Sequence, residues 1–254
     1  MVFTDTHTHL YLDEFTDDID IVIENAFSNN VKRLFFPAIN SKYSPPMFNL
    51  QKKYPDNIFL MSGLHPCYVK KDFLEEISKV KTILKTNHIV AIGEIGIDLY
   101  WDKSTLNMQT EAFEIQIEIA NNNNLPIVIH CRESFDEIYK VLLRKKPLYG
   151  GVFHCFSGNL EQANKIIELD MKLGIGGLVT FKNGKINKFL NQIDIKNIVL
   201  ETDSPYLSPA PFRGKRNESA NIKLIAEKLC DIYNLPLKEI AKITTQNSIE
   251  VFKV

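Results

Sequence analysis

The chain has 254 residues, 44% of them hydrophobic, 24% charged and 10% aromatic, and its 30 Lys+Arg against 31 Asp+Glu leave a net charge of −1. That balance supports a sizeable core, argues against disorder and excludes a generally cationic nucleic-acid coat, so any polyanion must be met by metal ions or a local basic patch. No apolar run approaches the roughly 18–20 residues of a membrane span, and four cysteines without a Cys-x-x-Cys pair suggest neither a disulfide framework nor a zinc ribbon.

The opening Met1-Val2-Phe3-Thr4-Asp5 carries neither a basic nor an apolar leader pattern. A reduced, cytoplasmic enzyme is therefore expected, with no membrane and no obligate protein partner. Along the chain, short β-branched or aromatic runs predict strands at 2–5, 32–37, 58–64, 89–93, 126–130, 151–155, 172–176 and 197–202. Helical patterns lie among them. Phe15, Ile19, Val22, Ile23 and Ala26 form one apolar stripe, and Phe113, Ile117 and Ala120 another, which ends at the asparagine run 121–124 and Pro126. Stretches 72–85, 134–145, 160–169, 220–233 and 237–252 complete the set. Alternation at this length fits a TIM-like (β/α)8 barrel of parallel strands with its active site at the C-terminal mouth. The competing open sheet lacks its G-x-G-x-x-G loop. No linker-like composition divides the chain, so 1–254 is expected to be one hydrolase barrel domain.

The polar residues gather at strand ends. In order they are Asp5, His7 and His9, then His65, Glu94, His130, His154 and Asp203, so five of the six histidines precede loops on the mouth side. Residues i, i+2 and i+4 of an extended segment face one way, so Asp5, His7 and His9 are expected to point together. Imidazoles and carboxylates suit Zn, Mn, Ni or Fe, and carboxylate-rich pairs also accept Mg. Six candidate ligands exceed the needs of one catalytic ion, which makes a pair sharing a carboxylate plausible.

These residues sit in ordered motifs: Asp5-Thr6-His7-Thr8-His9-Leu10, Gly63-Leu64-His65-Pro66, Gly93-Glu94-Ile95-Gly96-Ile97-Asp98, His130-Cys131-Arg132, His154-Cys155-Phe156-Ser157-Gly158, Glu201-Thr202-Asp203-Ser204-Pro205 and Arg213-Gly214-Lys215-Arg216-Asn217-Glu218. Over essentially its whole length the chain resembles TatD-type metal-dependent deoxyribonucleases, within the amidohydrolase-like barrels. The resemblance implies a two-metal phosphodiesterase acting on DNA, as a 3′–5′ exonuclease on single-stranded ends. It implies that His7 and His9 hold the first ion, that Glu94 bridges, and that His130 and His154 hold the second. It also implies that Asp203 ligates the first ion and takes the proton of the attacking water, while His65 hydrogen-bonds the scissile phosphate. Mg²⁺ is favoured by abundance and by the family, with Zn²⁺, Mn²⁺ or Ni²⁺ as alternatives. Two departures from the family pattern are Ser219, where proline is usual, and Leu99-Tyr100-Trp101 beside Glu94.

Around this set, Arg213, Lys215 and Arg216 form a basic cluster after the last strand, read as phosphate contacts. Arg132 either meets substrate or pairs with Glu133 or Asp136; Tyr100 and Trp101 either stack a terminal base or pack over the rim. Glu201 and Asp5 are read as orienting the ligands, and Asp98 as a loop cap or a substrate contact. Cys131 and Cys155 are expected to turn away from the site by strand alternation, with Cys67 and Cys230 as packing residues. Rival functions are an aminoacyl-tRNA deacylase, an amide or ester hydrolase on the same barrel, and a non-catalytic binding protein. Glu94 stands where cyclic amidases of this architecture often carry a carbamylated lysine, which favours phosphoester chemistry.

Overall fold

The structure, a computed structural model, describes residues 1–254. Eight strands pair in sequence order: β1 Phe3–Asp5, β2 Val31–Phe36, β3 Ile58–Ser62, β4 Ala91–Asp98, β5 Ile127–Arg132, β6 Gly151–Phe153, β7 Met171–Ile175 and β8 Ile198–Leu200. Every adjacent pair is parallel. The β8–β1 seam is joined beyond the strands. Thr6 N and Oγ1 donate to Leu200 O at 3.0 and 2.9 Å, and Asp203 N donates to His7 O at 2.9 Å. The result is the TIM-like barrel read from the alternating pattern.

Helices α1 Ile19–Ser28, α2 Ser44–Lys53, α3 Phe73–Thr86, α4 Leu106–Asn122, α5 Phe135–Arg144, α6 Leu160–Ile167, α7 Ile222–Tyr233 and α8 Leu237–Phe252 surround it. The sequence pattern missed α2, whose Ser44-Pro45-Pro46 start resembles a turn. Proline is tolerated in a first helical turn because those backbone N–H groups have no partner there. Between β7 and β8 the chain makes only 3-10 turns, at Gly177–Thr180, Ile186–Lys188, Leu190–Gln192 and Ile195–Asn197.

Strand alternation sorts the core into two layers. Leu34, Phe36, Ile127, Ile129, Ile198 and Leu200 face outward beneath the helices. Phe35, Met61, Val128, Val152 and Val199 face inward and form a separate cluster with Val251 and Phe252 of α8. The Phe252 ring lies 4.4 Å from that of Phe35, so the last helix plugs the barrel base. Arg33 secures this plug: it donates to Val254 O and lies 4.7 Å over the Phe59 ring.

Two residues further along, the inward positions become His130 on β5 and, just past the ends of β6 and β8, His154 and Glu201. β4 obeys a different rule. Ile92, Ile95 and Ile97 all face outward, and the pairing register with β5 shifts between Ile92 and Ile95. The extra residue turns Glu94 inward; by simple alternation it would share the outward face of Ile92. The strand also continues to Asp98, past the predicted end at 93. Gly93 is needed for this approach, since an added Cβ would lie 2.7 Å from Val128 Cβ.

Candidate active site

Glu94 is central. Its Oε2 lies 3.1 Å from His7 Nε2 and 3.6 Å from His9 Nε2. Its Oε1 lies 2.7 Å from His130 Nδ1, 3.4 Å from His65 Nε2 and 3.7 Å from His154 Nε2. Asp203 Oδ1 stands between the two groups, 3.5 Å from His9 Nε2 and 3.9 Å from both His7 Nε2 and His154 Nε2. Residues up to 196 positions apart in the chain, His7 and Asp203 among them, thus converge on one volume at the mouth.

Hydrogen-bond partners behind the rings set which nitrogen carries a proton. Tyr11 Oη gives its single proton to Pro37 O at 2.6 Å, so toward His9 Nδ1, 2.8 Å away, it accepts. The His9 proton is therefore on Nδ1, and the Nε2 lone pair faces Glu94 and Asp203. Asp98 Oδ2, 2.8 Å from His130 Nε2, likewise leaves Nδ1 turned inward. Glu201 Oε1 accepts from Cys155 N at 2.6 Å and lies 2.9 Å from His154 Nδ1 as a charge partner, while His154 Nε2 faces the centre. His65 has the opposite polarity. Cys67 N donates to its Nδ1 at 3.1 Å, so its proton is on Nε2, the nitrogen that faces Glu94. His65 thus offers a donor to the pocket where His9 offers a lone pair.

Convergent lone pairs and carboxylates repel one another unless positive charge sits among them. Protons supply part of it. Burial pulls His154 down, but Glu201, Glu94 and Asp203 outweigh it and raise the imidazole to about 10. His130 is raised in the same way against burial by Asp98 and Glu94. Burial pushes Glu94 and Asp203 up, yet the surrounding imidazoles hold both below the ordinary carboxylate range, Glu94 far below. Asp98, opposed by burial but bonded to His130, is held at about 2. The donor atoms of His7, His9 and Glu94, of His7, His154 and Asp203, and of His65, Glu94 and His130 each lie within 4.8 Å of one another. Nitrogen and oxygen donors so grouped fit divalent cations, which deliver more charge than protons to the same place.

The outer residues divide. Asp5 does not point with the histidines: its carboxylate accepts from Thr202 N and Oγ1 at 2.9 and 2.6 Å, tying β1 to the end of β8, and burial raises it to about 7. The open cavity above the cluster, about 730 Å³, is lined by Trp101, Arg132, Leu178 and Tyr206 among others. Arg132 stacks 3.7 Å from the centroid of Tyr100 and 5.6 Å from that of Trp101, and pairs with neither Glu133 nor Asp136. The two rings are 51% and 70% exposed, so they stand at the rim and do not pack over it. Arg213 and Lys215 are exposed, over the rings of Phe181 and Phe212.

Arg216, expected to meet phosphate, is committed elsewhere. It donates to Asp18 through both terminal nitrogens (2.8 and 2.6 Å), to Glu218 at 3.0 Å and to Glu14 O at 2.7 Å, which leaves only its Nε–H. A bidentate partner across the loop outcompetes a solvated role. Cys155 departs from expectation and lines the cavity with Cys67, whereas Cys131 touches the wall but keeps the alternation of β5 and packs against the outer core. β6 has ended by Cys155, whose φ of 46° breaks the alternation, and Cys131 lies 3.9 Å from Ser134 Oγ at the edge of the wall. Burial pushes the Cys67 and Cys131 thiols up to about 12 and about 11, which disfavours a thiolate nucleophile. Tyr11 escaped the sequence reading, although its position two residues after His9 was the available signal.

The family described as TatD related DNase matches residues 4–253. The chain belongs to this family. YabD of Bacillus subtilis (strain 168), an uncharacterized metal-dependent hydrolase, is 35% identical over 252 residues, covering 98% of each chain. The crystal structure of YjjV, a TatD homolog from Escherichia coli K12, matches with a TM-score of 0.94 at 28% identity over 99% of this chain and 98% of that one. A TatD-family hydrolase from Entamoeba histolytica shares the fold, with a TM-score of 0.88 at 22% identity over 99% and 98% of the two chains. As a TatD-family protein the chain is a metal-dependent hydrolase, and the cluster around Glu94 is its metal-binding centre. No helix is long and apolar enough to cross a membrane.

Proposed function

We propose that this TatD-family hydrolase cleaves DNA phosphodiester bonds, removing nucleotides from single-stranded 3′ ends with the help of two divalent cations. The division of the Glu94 carboxylate carries this reading, one oxygen toward His7 and His9 and the other toward His130 and His154. His7, His9 and Asp203 would hold one cation, His130 and His154 the other, and Glu94 both. When bound, the pair would polarise phosphoryl oxygens and lower the pKa of water toward about 7.

The protein's own groups do the rest. His65 presents its Nε2–H to a phosphoryl oxygen. Asp203, kept a carboxylate by the imidazoles beside it, takes a proton from the attacking water. The new phosphorus–oxygen bond forms as the bond to the 3′ oxygen of the upstream nucleotide breaks, and the proton passes to that departing oxygen. Tyr100, Trp101 and Arg132 receive the terminal base, a stack worth about 1–3 kcal/mol.

Incubating 3′-labelled single-stranded DNA, aminoacyl-tRNA and a dihydropyrimidine side by side with Mg²⁺ or Mn²⁺ tests the proposal. Mononucleotide release that EDTA abolishes is the expected result. Amino-acid release from the tRNA, or ring opening of the dihydropyrimidine, with intact DNA would overturn it.

A further inference from the structure

The cavity above the cluster leads sideways in two directions that differ in charge. Past His154, Cys155 and Ser157 it meets a cleft on the β5–β6 side walled by Glu133, Asp136 and Glu137. Past Ser157 and Leu178 it meets a groove of about 370 Å³ on the β7–β8 side, walled by Phe181, Asn183, Lys185 and Arg213 and by no acidic residue.

The sequence explains the contrast. Neither 171–193 nor 204–217 contains an Asp or Glu, and both carry several cations, in a chain whose charges otherwise balance. Lys182, Lys185 and Lys188 of the first segment and Arg213 and Lys215 of the second form no ion pair, whereas Lys172, Lys196 and Arg216 close by pair with Glu250, Asp194 and Asp18. The groove walls are also built. The Arg213 guanidinium rests 4.2 Å from the Phe181 centroid, and Ala210 N donates to Thr180 Oγ1 at 2.8 Å. Gly177 lies so close to the second segment that an added Cβ would be 2.0 Å from Leu207 O.

We propose that this groove carries the backbone of single-stranded DNA upstream of the scissile phosphate, with Lys185 and Arg213 each meeting one phosphate. The proposal rests on the phosphodiesterase reading and gives the strand a direction. The terminal nucleotide lies toward Tyr100 and Trp101, the body of the strand leaves over the β7–β8 side, and the carboxylates of the opposite cleft repel it.

Binding of a phosphorothioate-linked twelve-residue oligothymidylate, which resists hydrolysis, is measured by fluorescence anisotropy over a salt series with Mg²⁺ present. The unmutated chain is compared with Lys185→Ala/Arg213→Ala. Loss of two single-strand phosphate contacts should flatten the log–log salt slope by about 1.4 and weaken binding on the order of tenfold. A dinucleotide, too short to enter the groove, should bind both proteins alike. An unchanged slope, or an equal loss with the dinucleotide, overturns the proposal. So does an equal loss on neutralising the opposite cleft with Glu133→Gln/Asp136→Asn/Glu137→Gln. Metal-dependent cleavage of ordinary oligothymidylate by the unmutated chain is followed in parallel. Its absence counts against the nuclease reading, whereas intact cleavage with an unchanged slope counts against the groove alone.

Discussion

The base and the mouth of the barrel are lined by the same strands, two residues apart, with opposite physics. At the base, Val128, Val152 and Val199 meet Phe35 and Phe252 in a closed apolar cluster whose burial favours the fold at every contact. At the mouth, His130, His154 and Glu201 follow those valines inward, and burial there opposes the charged forms that the pocket requires. Stability is concentrated at one end of the barrel axis and chemistry at the other. Changes at the two ends should therefore be separable.

The largest separation is expected from Asp203→Asn. Losing the proposed proton acceptor should lower kcat by about 10²–10⁴-fold without lowering the melting temperature of the cation-free protein. Full activity at saturating metal would break the assignment. Phe252→Ala is the mirror experiment. It opens a cavity at the base and should remove about 3–5 kcal/mol of stability in denaturant melts, while the folded fraction keeps its metal content. A loss of metal in proportion to stability would show that the two ends are coupled.

Glu201→Gln sharpens the comparison at the boundary between the layers. Weakening the group behind His154 should lower metal affinity about 10–100-fold by calorimetry. Gly174→Ala should act in the same direction, because its added Cβ would lie 2.2 Å from Glu201 Oε2. The smallest effect is one of pH. In the cation-free protein His154 is raised from 6.5 to about 10, so its stabilising contribution is fully present below pH 6.5 and is lost as pH climbs through about 10. Melting curves in EDTA should show that decline, and cation affinity should rise over the same range as the proton becomes easier to displace.

The sequence revealed the barrel through its alternating runs, and the members of the convergent His/Glu/Asp cluster through their places at strand ends. Parity alone carried His130 and His154 to the interior. Glu94 was recognisable from its motif but not from alternation, because the β4 register shift that turns it inward has no counterpart in a periodicity rule. Similar non-local causes account for the other departures. The commitment of Arg216 depends on Asp18, some two hundred residues earlier in the chain. The orienting role of Asp98 depends on β4 running beyond its apolar stretch. Cys155 turned toward the cavity because a single backbone angle changed where the strand stopped.

The β8–β1 seam has a consequence for how the molecule matures. His7 and His9 leave the ribosome nearly two hundred residues ahead of Asp203, which reaches them only once the eighth strand has been laid beside the first. A nascent polypeptide therefore exposes an incomplete shell until the segment after β8 has emerged. Tight capture of a cation by this cluster must await the late folding step that draws the early and late parts of the chain together.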